Sequence, residues 1–462
     1  MTSDNNNVFI GYGAGLVSDG GTANVFVGCY AGDANTTGDG NTFVGYNAGS
    51  TNAIGTGNTF MGYQAGQNAD GCTSVVCIGY QAGRANTAND NVFVGTNAGL
   101  ATTTGTRNTY VGWQTGMAAV IDNDNVFIGH AAGMANNGGE SNVFVGSYAG
   151  VANTAGTNNT FIGHVAGYAN TTGTQNVFVG HAAGHDNTTG DFNIFIGHAA
   201  GYANTFGTQN IFVGSAAGQA NTLGTKNVFM GHTAGFENTT GDFNIFIGHA
   251  AGYANTTGTQ NIFVGSQAGV ANTTGNYNTF VGHASGLQSV DGVRNVCVGH
   301  GTGTAMVSDD DNVFIGHAAG MANNGGESNV FVGSYSGDTI TTGDYNTFIG
   351  YNTGDLITTG SSNVFIGYQA GAQAVVGSAN KLYIANTNTL QPPIFGQMNN
   401  NQIGIAFTDG TDDFGGTKEC LFIHNTTQIP TGNPANGGVL YVDAGALHYI
   451  GPGGTDTLLA MT

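Results

Sequence analysis

The sequence predicts an all-β chain, a parallel β-solenoid or β-roll of about 22 coils, and three observations lead there. The pentapeptide Asn7-Val8-Phe9-Ile10-Gly11 returns as Asn24-Val25-Phe26-Val27-Gly28 and continues to Asn363-Val364-Phe365-Ile366-Gly367. There are twenty-two copies, spaced by seventeen residues except for one sixteen-residue step between Gly79 and Gly95. A repeat that excludes insertions so strictly must trace a fixed closed path. A second glycine stands four residues after the first in every copy, from Gly15 and Gly32 to Gly354 and Gly371. Finally, seventeen residues are too few for a helix pair, whereas an Asn, a β-branched or aromatic trio and a Gly read as a short strand with its corner.

Each element of the coil has a physical role. The first and third residues of Val-Phe-Ile share one face of a strand and Phe takes the other. The Phe position, carried by Phe9, Phe26, Phe161, Phe246, Phe365 and others, departs from Phe only at Cys77, Tyr110 and Cys297; the third position is aliphatic throughout. Both faces are therefore apolar, and a thin coil has one interior. The second face calls for a partner, and three copies around a common axis satisfy it; a monomeric solenoid with a wide core is the alternative. The Asn at the head of the strand (Asn7, Asn24, Asn142, Asn261, Asn346; Val75 is the exception) is placed to bond the next coil and the turn backbone. The paired glycines Gly11 and Gly15, Gly28 and Gly32, Gly129 and Gly133, and Gly367 and Gly371 read as structural turn positions. Stacking at the inter-strand spacing would make a rod of roughly 100 Å.

The repeat organises residues 1–379. The stretch from Asn125 to Gly150 reappears as Asn312 to Gly337 with one change, Ala149 to Ser336, as expected of block duplication in a spacer. Residues 380–462 leave the register and read as a small β-rich cap or tip: Lys381 to Ala385, a break at Gln391-Pro392-Pro393, then candidate strands at 401–407, 420–424 and 438–442, and a hairpin to Ala446–Ile450.

Composition excludes several functions. Lys plus Arg number 6 against 27 Asp plus Glu, for a net charge of -21, and charged residues are only 7% of the chain. Nucleic acid and anionic membrane surfaces are excluded as partners by that balance. No apolar run long enough for a membrane span and no secretory signal are read in the chain. The five cysteines form no C-x-x-C pair; Cys77 and Cys297 stand at Phe positions as buried thiols, and a Cys72–Cys77 bridge is the minor alternative.

Two surface columns could carry chemistry. The residue after the first Gly is His in nine coils, among them the successive His164, His181 and His198. Around a threefold axis such rungs could hold a divalent metal, the one cofactor considered; an amphipathic surface rung explains the Tyr, Trp and Ser at the same position equally well. Thr154, Thr171, Thr188, Thr205, Thr222, Thr239, Thr256 and Thr273 form a hydroxyl ladder, the pattern of an ice-binding face, although the following Gly implies a turn. Aspartates such as Asp122, Asp124, Asp309, Asp310, Asp311, Asp412 and Asp413 read as turn residues, without a calcium-loop spacing. Glu140, Glu237 and Glu327 are the glutamates of the repeats, too few to suggest a polysaccharide-cleaving carboxylate pair.

With the motif Asn-x-Phe-Ile/Val-Gly-x-x-Ala-Gly on the page, the chain resembles the head repeats of trimeric autotransporter adhesins and the repeats of phage and viral tail-fibre proteins. The shared Val-x-Ile-Gly core is carried here by Val8, Ile10 and Gly11, or Val126, Ile128 and Gly129. The resemblance implies a homotrimer of left-handed β-rolls whose surface binds a host glycan or protein, located on a virion or extracellular surface. Phe stands where adhesin heads have Ala, and neither a heptad stalk nor a membrane-anchor barrel is read, which favours the fibre. The function expected is structural attachment without catalysis; the alternatives are a self-assembling filament or tube, a polysaccharide-degrading fibre and an ice-binding solenoid.

Overall fold

The computed structural model describes residues 6–386 and the strands at 394–397, 402–406, 420–422, 439–443, 446–450 and 456–460. The break at Gln391-Pro392-Pro393, the turn with Asp412 and Asp413, and the outer ends of the candidate strands at 401–407, 420–424 and 438–442 lie outside the described residues. Two bodies are described separately, one ending at Asn244 and one beginning at Ile245. The chain is all-β, with fourteen three-residue parallel strands in the first body, Val8–Ile10 to Val228–Met230, and eight in the second, Ile245–Ile247 to Val364–Ile366.

The seventeen-residue period becomes a strict register. Val25 pairs with Thr42, Phe26 with Phe43 and Val27 with Val44, and the same in-line pairing recurs at Ile262 with Thr279 in the second body. Identical positions stack because parallel pairing without an offset gives every coil the same neighbours. Each coil is one strand followed by turns, and those turns also bond coil to coil: the Gly15 amide donates to Ala31 and the Gly32 amide to Ala48.

Side-chain alternation places the core. Phe26, Phe161, Phe246 and Phe365 are fully buried, and their rings stack on the Phe of the adjacent coil at centroid distances of 4.7 to 4.9 Å. The outward residues are half-buried or exposed, with Ile10, Ile128, Ile196, Ile247 and Ile315 among the exposed ones. Cys77 and Cys297 replace Phe with smaller buried groups, and Met306 packs toward the space beside the Cys297 Sγ over Gly303.

Two glycines per coil are required for different reasons. Gly28 has φ 136°, and a Cβ there would collide with the Gly45 carbonyl oxygen. Gly32 has φ 56°, and a Cβ would lie 2.7 Å from the Phe26 ring. The first lets two coils approach at the corner; the second closes the turn over the aromatic core. Gly11 and Gly15, Gly129 and Gly133, and Gly367 and Gly371 occupy the same two places, all at positive φ.

In the second body the register ends after one more parallel strand, Lys381–Ile384, paired with Val364–Ile366. From there pairing turns antiparallel, through Ile394–Gln397, Gln402–Ala406 and Cys420–Phe422. A separate antiparallel set joins Val439–Asp443, Ala446–Ile450 and Asp456–Ala460, with Asp443 opposite Ala446 at the hairpin.

Candidate functional site

The repeat builds columns, and each column has one chemical character. At the head of nearly every repeat strand the Asn side chain ties two successive coils of backbone together. The Asn24 Oδ1 accepts the Asn41 amide at 2.8 Å, and its Nδ2 donates to the Gly38 carbonyl at 2.8 Å. Asn7 receives the Asn24 amide at 2.8 Å, and Asn142, Asn261 and Asn346 donate to Gly156, Gly275 and Gly360 at 2.9, 2.7 and 2.9 Å. Asn58 continues the pattern onto the amide of Val75 at 3.0 Å, so Val75 receives the bond but ends the side-chain relay. These amides satisfy buried backbone groups that a corner would otherwise leave unpaired.

A second buried Asn column was not expected. Asn153, Asn170, Asn187, Asn204, Asn221 and Asn238 each donate Nδ2 to the Oδ1 of the preceding rung, at 2.5 to 2.8 Å, and also to a turn glycine carbonyl. Its signature in the sequence is an Asn seven residues past the first Gly, visible in Asn35-Thr36-Thr37-Gly38 but easily taken for a surface turn. Elsewhere the column holds Met306, Ile340 and Ile357, all fully buried. The column also holds Thr102 and Ser289, buried with hydroxyls that have no hydrogen-bond partner, so it accepts an amide ladder, an apolar group or a small unpaired hydroxyl, the last at a cost in desolvation.

Asp122 and Asp309 are buried carboxylates standing where most coils have the turn glycine. Asp122 accepts from the Gly138 amide and, at 2.7 Å, from Asn136 Nδ2; Asp309 accepts from the Gly325 amide and, at 3.2 Å, from the Val307 amide. Burial raises both, Asp309 to about 6. Beside them Arg107 and Arg294 grip Asp124 and Asp311 with paired bonds of 2.6 and 2.8 Å on the exposed surface.

His164, His181 and His198 stack in file, with centroids 5.2 and 5.1 Å apart. Rings in file do not converge on a point; two Zn–N bonds of about 2.1 Å span at most about 4.2 Å. Among the described residues no three His, Cys, Asp or Glu gather in an arrangement suited to a metal. The Thr hydroxyls point along the coil stack: Thr171 Oγ1 donates to the Thr188 carbonyl at 3.0 Å, Thr188 to Thr205 at 3.0 Å and Thr205 to Thr222 at 3.1 Å. A hydroxyl committed to the next coil donates nothing outward, and its oxygen is left only as an acceptor.

Asp338 and Asp355 occupy the same rung of successive coils, and burial with the Asp355 charge pushes Asp338 up to about 6. Both therefore lie on one face, unlike the facing pair that glycoside hydrolysis needs. Cys29, Cys72, Cys77 and Cys297 are free, and the three buried ones are held as unreactive thiols: burial pushes Cys72 up to about 12 and Cys77 and Cys297 well above the ordinary thiol range.

No known family model, curated protein or solved structure matches the chain. Among the described residues no helix is long and apolar enough to cross a membrane. The repeat is a parallel β-solenoid, a fold compatible with a structural fibrous protein.

Proposed function

We propose that this chain is a non-catalytic fibre protein that sets a distance and attaches to a host or surface receptor, working as a trimer of left-handed rolls on a virion or another extracellular surface. In this reading residues 1–379 are the spacer and residues 380–462 the cap or tip. The likeness to adhesin heads and tail-fibre repeats belongs to the same proposal. One observation carries it: from Val25–Val27 to Val364–Ile366 each repeat strand buries its central residue, yet its outward third residue is also apolar, Ile, Val or Met. Ile128, Ile162 and Ile196 in the first body, and Ile247, Ile315 and Ile349 in the second, are exposed. An uncharged aliphatic file repeated at the coil spacing is complementary to another file with that spacing, and a second copy of the chain supplies one.

Mass photometry with cryo-electron microscopy of the full chain tests this. The expected particle has three times the 46.6 kDa chain mass, and it dissociates when Ile162, Ile196 and Ile315 are together changed to Glu. A wild-type monomer would remove the trimer. Attachment is tested separately, by adhesion of the labelled chain to candidate host cells.

A further inference from the structure

The column beginning one residue past the first Gly is an exposed aromatic ladder. Tyr46, Tyr63 and Tyr80 stack at 5.3 and 5.2 Å, within 12° of parallel, and Trp113 stacks on His130 at 4.6 Å. Six rungs of this column are small, Cys29, Thr96, Ser147, Ser215, Ser266 and Ser334, and three of them are covered by a tyrosine one residue later. Tyr30 beside Cys29 meets Tyr12 edge-on, Tyr148 beside Ser147 meets His130, and Tyr335 beside Ser334 meets both His317 and Tyr351.

Thr96, Ser215 and Ser266 lack such cover, since Asn97, Ala216 and Gln267 follow them; of the three, Thr96 is the one flanked by Tyr and Trp rungs, the two serines being flanked by His. The coils keep their register through Thr96: the Asn97 amide donates to the Tyr80 carbonyl and the Gln114 amide to the Thr96 carbonyl, both at 2.9 Å. Tyr80 and Trp113 therefore stand two coil steps apart, roughly 9.6 Å, with only the threonine side chain between them. Tyr63 covers one face of Tyr80, and His130 covers one face of Trp113. Their other faces look into the gap. Tyr80 is 49% exposed and Trp113 45%.

We propose that this vacant rung is a binding slot for one pyranose ring of a neutral glycan, with Tyr80 and Trp113 as walls and Thr96 as floor. The proposal deepens the attachment reading above and rests on it. The two ring faces suit the C–H faces of a sugar. Gln81, Asn97 and Gln114 follow in the adjacent column; the Gln81 Nε2 donates to Gln64 Oε1 at 2.8 Å, and the Asn97 Oδ1 is buried without a hydrogen-bond partner in the folded chain. Amides and a hydroxyl bond sugar hydroxyls in both directions. Neither column carries an acidic or basic residue other than histidine, and the chain's charge of -21 repels anionic sugars. A flat aromatic ligand would use the walls and leave the amides unanswered.

Trp113 is the chain's single tryptophan, so its emission reports on the slot directly. The full chain is titrated with cellohexaose and laminarihexaose, with an oligogalacturonate as the anionic probe and indole as the planar one. Saturable change with a neutral oligosaccharide is expected. Thr96→Tyr, which installs the side chain found at Tyr46, Tyr63 and Tyr80, should weaken that binding about tenfold or more, an effect of the size of one lost ring contact. Unchanged far-ultraviolet circular dichroism of the variant is the folding control. Absence of any sugar response, a response to indole or to oligogalacturonate alone, or equal binding by the variant overturns the slot. Cell adhesion separates the two readings: adhesion unchanged by Thr96→Tyr keeps attachment and removes the slot as its cause, whereas sugar binding without adhesion keeps the slot and removes attachment.

Discussion

Two aromatic columns run through the same coils, one inside and one outside, and they obey different rules. The inner column is Phe at almost every rung, and its exceptions are a tyrosine and two thiols that are themselves fully buried. The outer column passes through Tyr, Thr, Trp, His and Ser with the same stacking distance of about one coil. Coil spacing fixes ring separation in both. Only the inner column is also bounded by volume, since the turn glycine must close over each ring, so only there is residue identity constrained. Variation on the outer column is therefore free to carry recognition.

The largest test of that contrast is Phe195→Ala beside His198→Ala, three residues apart in one coil. The inner substitution should cost about 3–5 kcal/mol and the outer one no more than about 0.5 kcal/mol, read from denaturant or thermal unfolding. Comparable losses would show that the outer ladder is structural too. Next comes Asn187→Ala, which removes bonds to Asn170 and Gly190 and strands the Asn204 amide donor. A loss of about 1–3 kcal/mol is expected, and Asn187→Leu should recover part of it because Ile340 and Ile357 fill the same column elsewhere.

Tyr110→Phe sharpens the comparison from the opposite side. The Tyr110 hydroxyl is buried beside Asn125 and the Asp122 carboxylate without a well-formed hydrogen bond. Its removal should stabilise the chain by about 1 kcal/mol, seen as a raised unfolding midpoint. The smallest effect is pH-dependent. Burial raises Asp309 from 3.8 to about 6, so the folded chain prefers its protonated form. Its stabilising contribution is complete below about pH 4 and lost as pH rises through about 6. Asp309→Asn should therefore flatten the fall in unfolding temperature across that window; an unchanged slope would place the titration elsewhere.

The coil, its strand and its paired glycines were legible because a strict period fixes which residues become neighbours before any contact is known. The head-of-strand Asn was legible for the same reason. The second Asn column was not, because Asn in an Asn-Thr-Thr-Gly turn reads as solvated, and nothing local distinguishes an inward amide from an outward one. Asp122 and Asp309 were hidden likewise; their neighbours are acidic surface residues, and only the coil path turns these two inward.

By itself, then, the sequence determined the all-β parallel solenoid, the position of each repeat strand and the buried aromatic file, since periodicity and alternation act through the backbone alone; the strands Ile394–Gln397 and Asp456–Ala460, outside the repeat, were not read from it. The tertiary structure decided which polar residues are interior, that the threonine hydroxyls are committed to the next coil, that the histidines stack in file, and that the rung at Thr96 stands open between two rings. Those outcomes depend on the direction of each side chain across a gap of one coil, and that direction is set by the closed path of the turns.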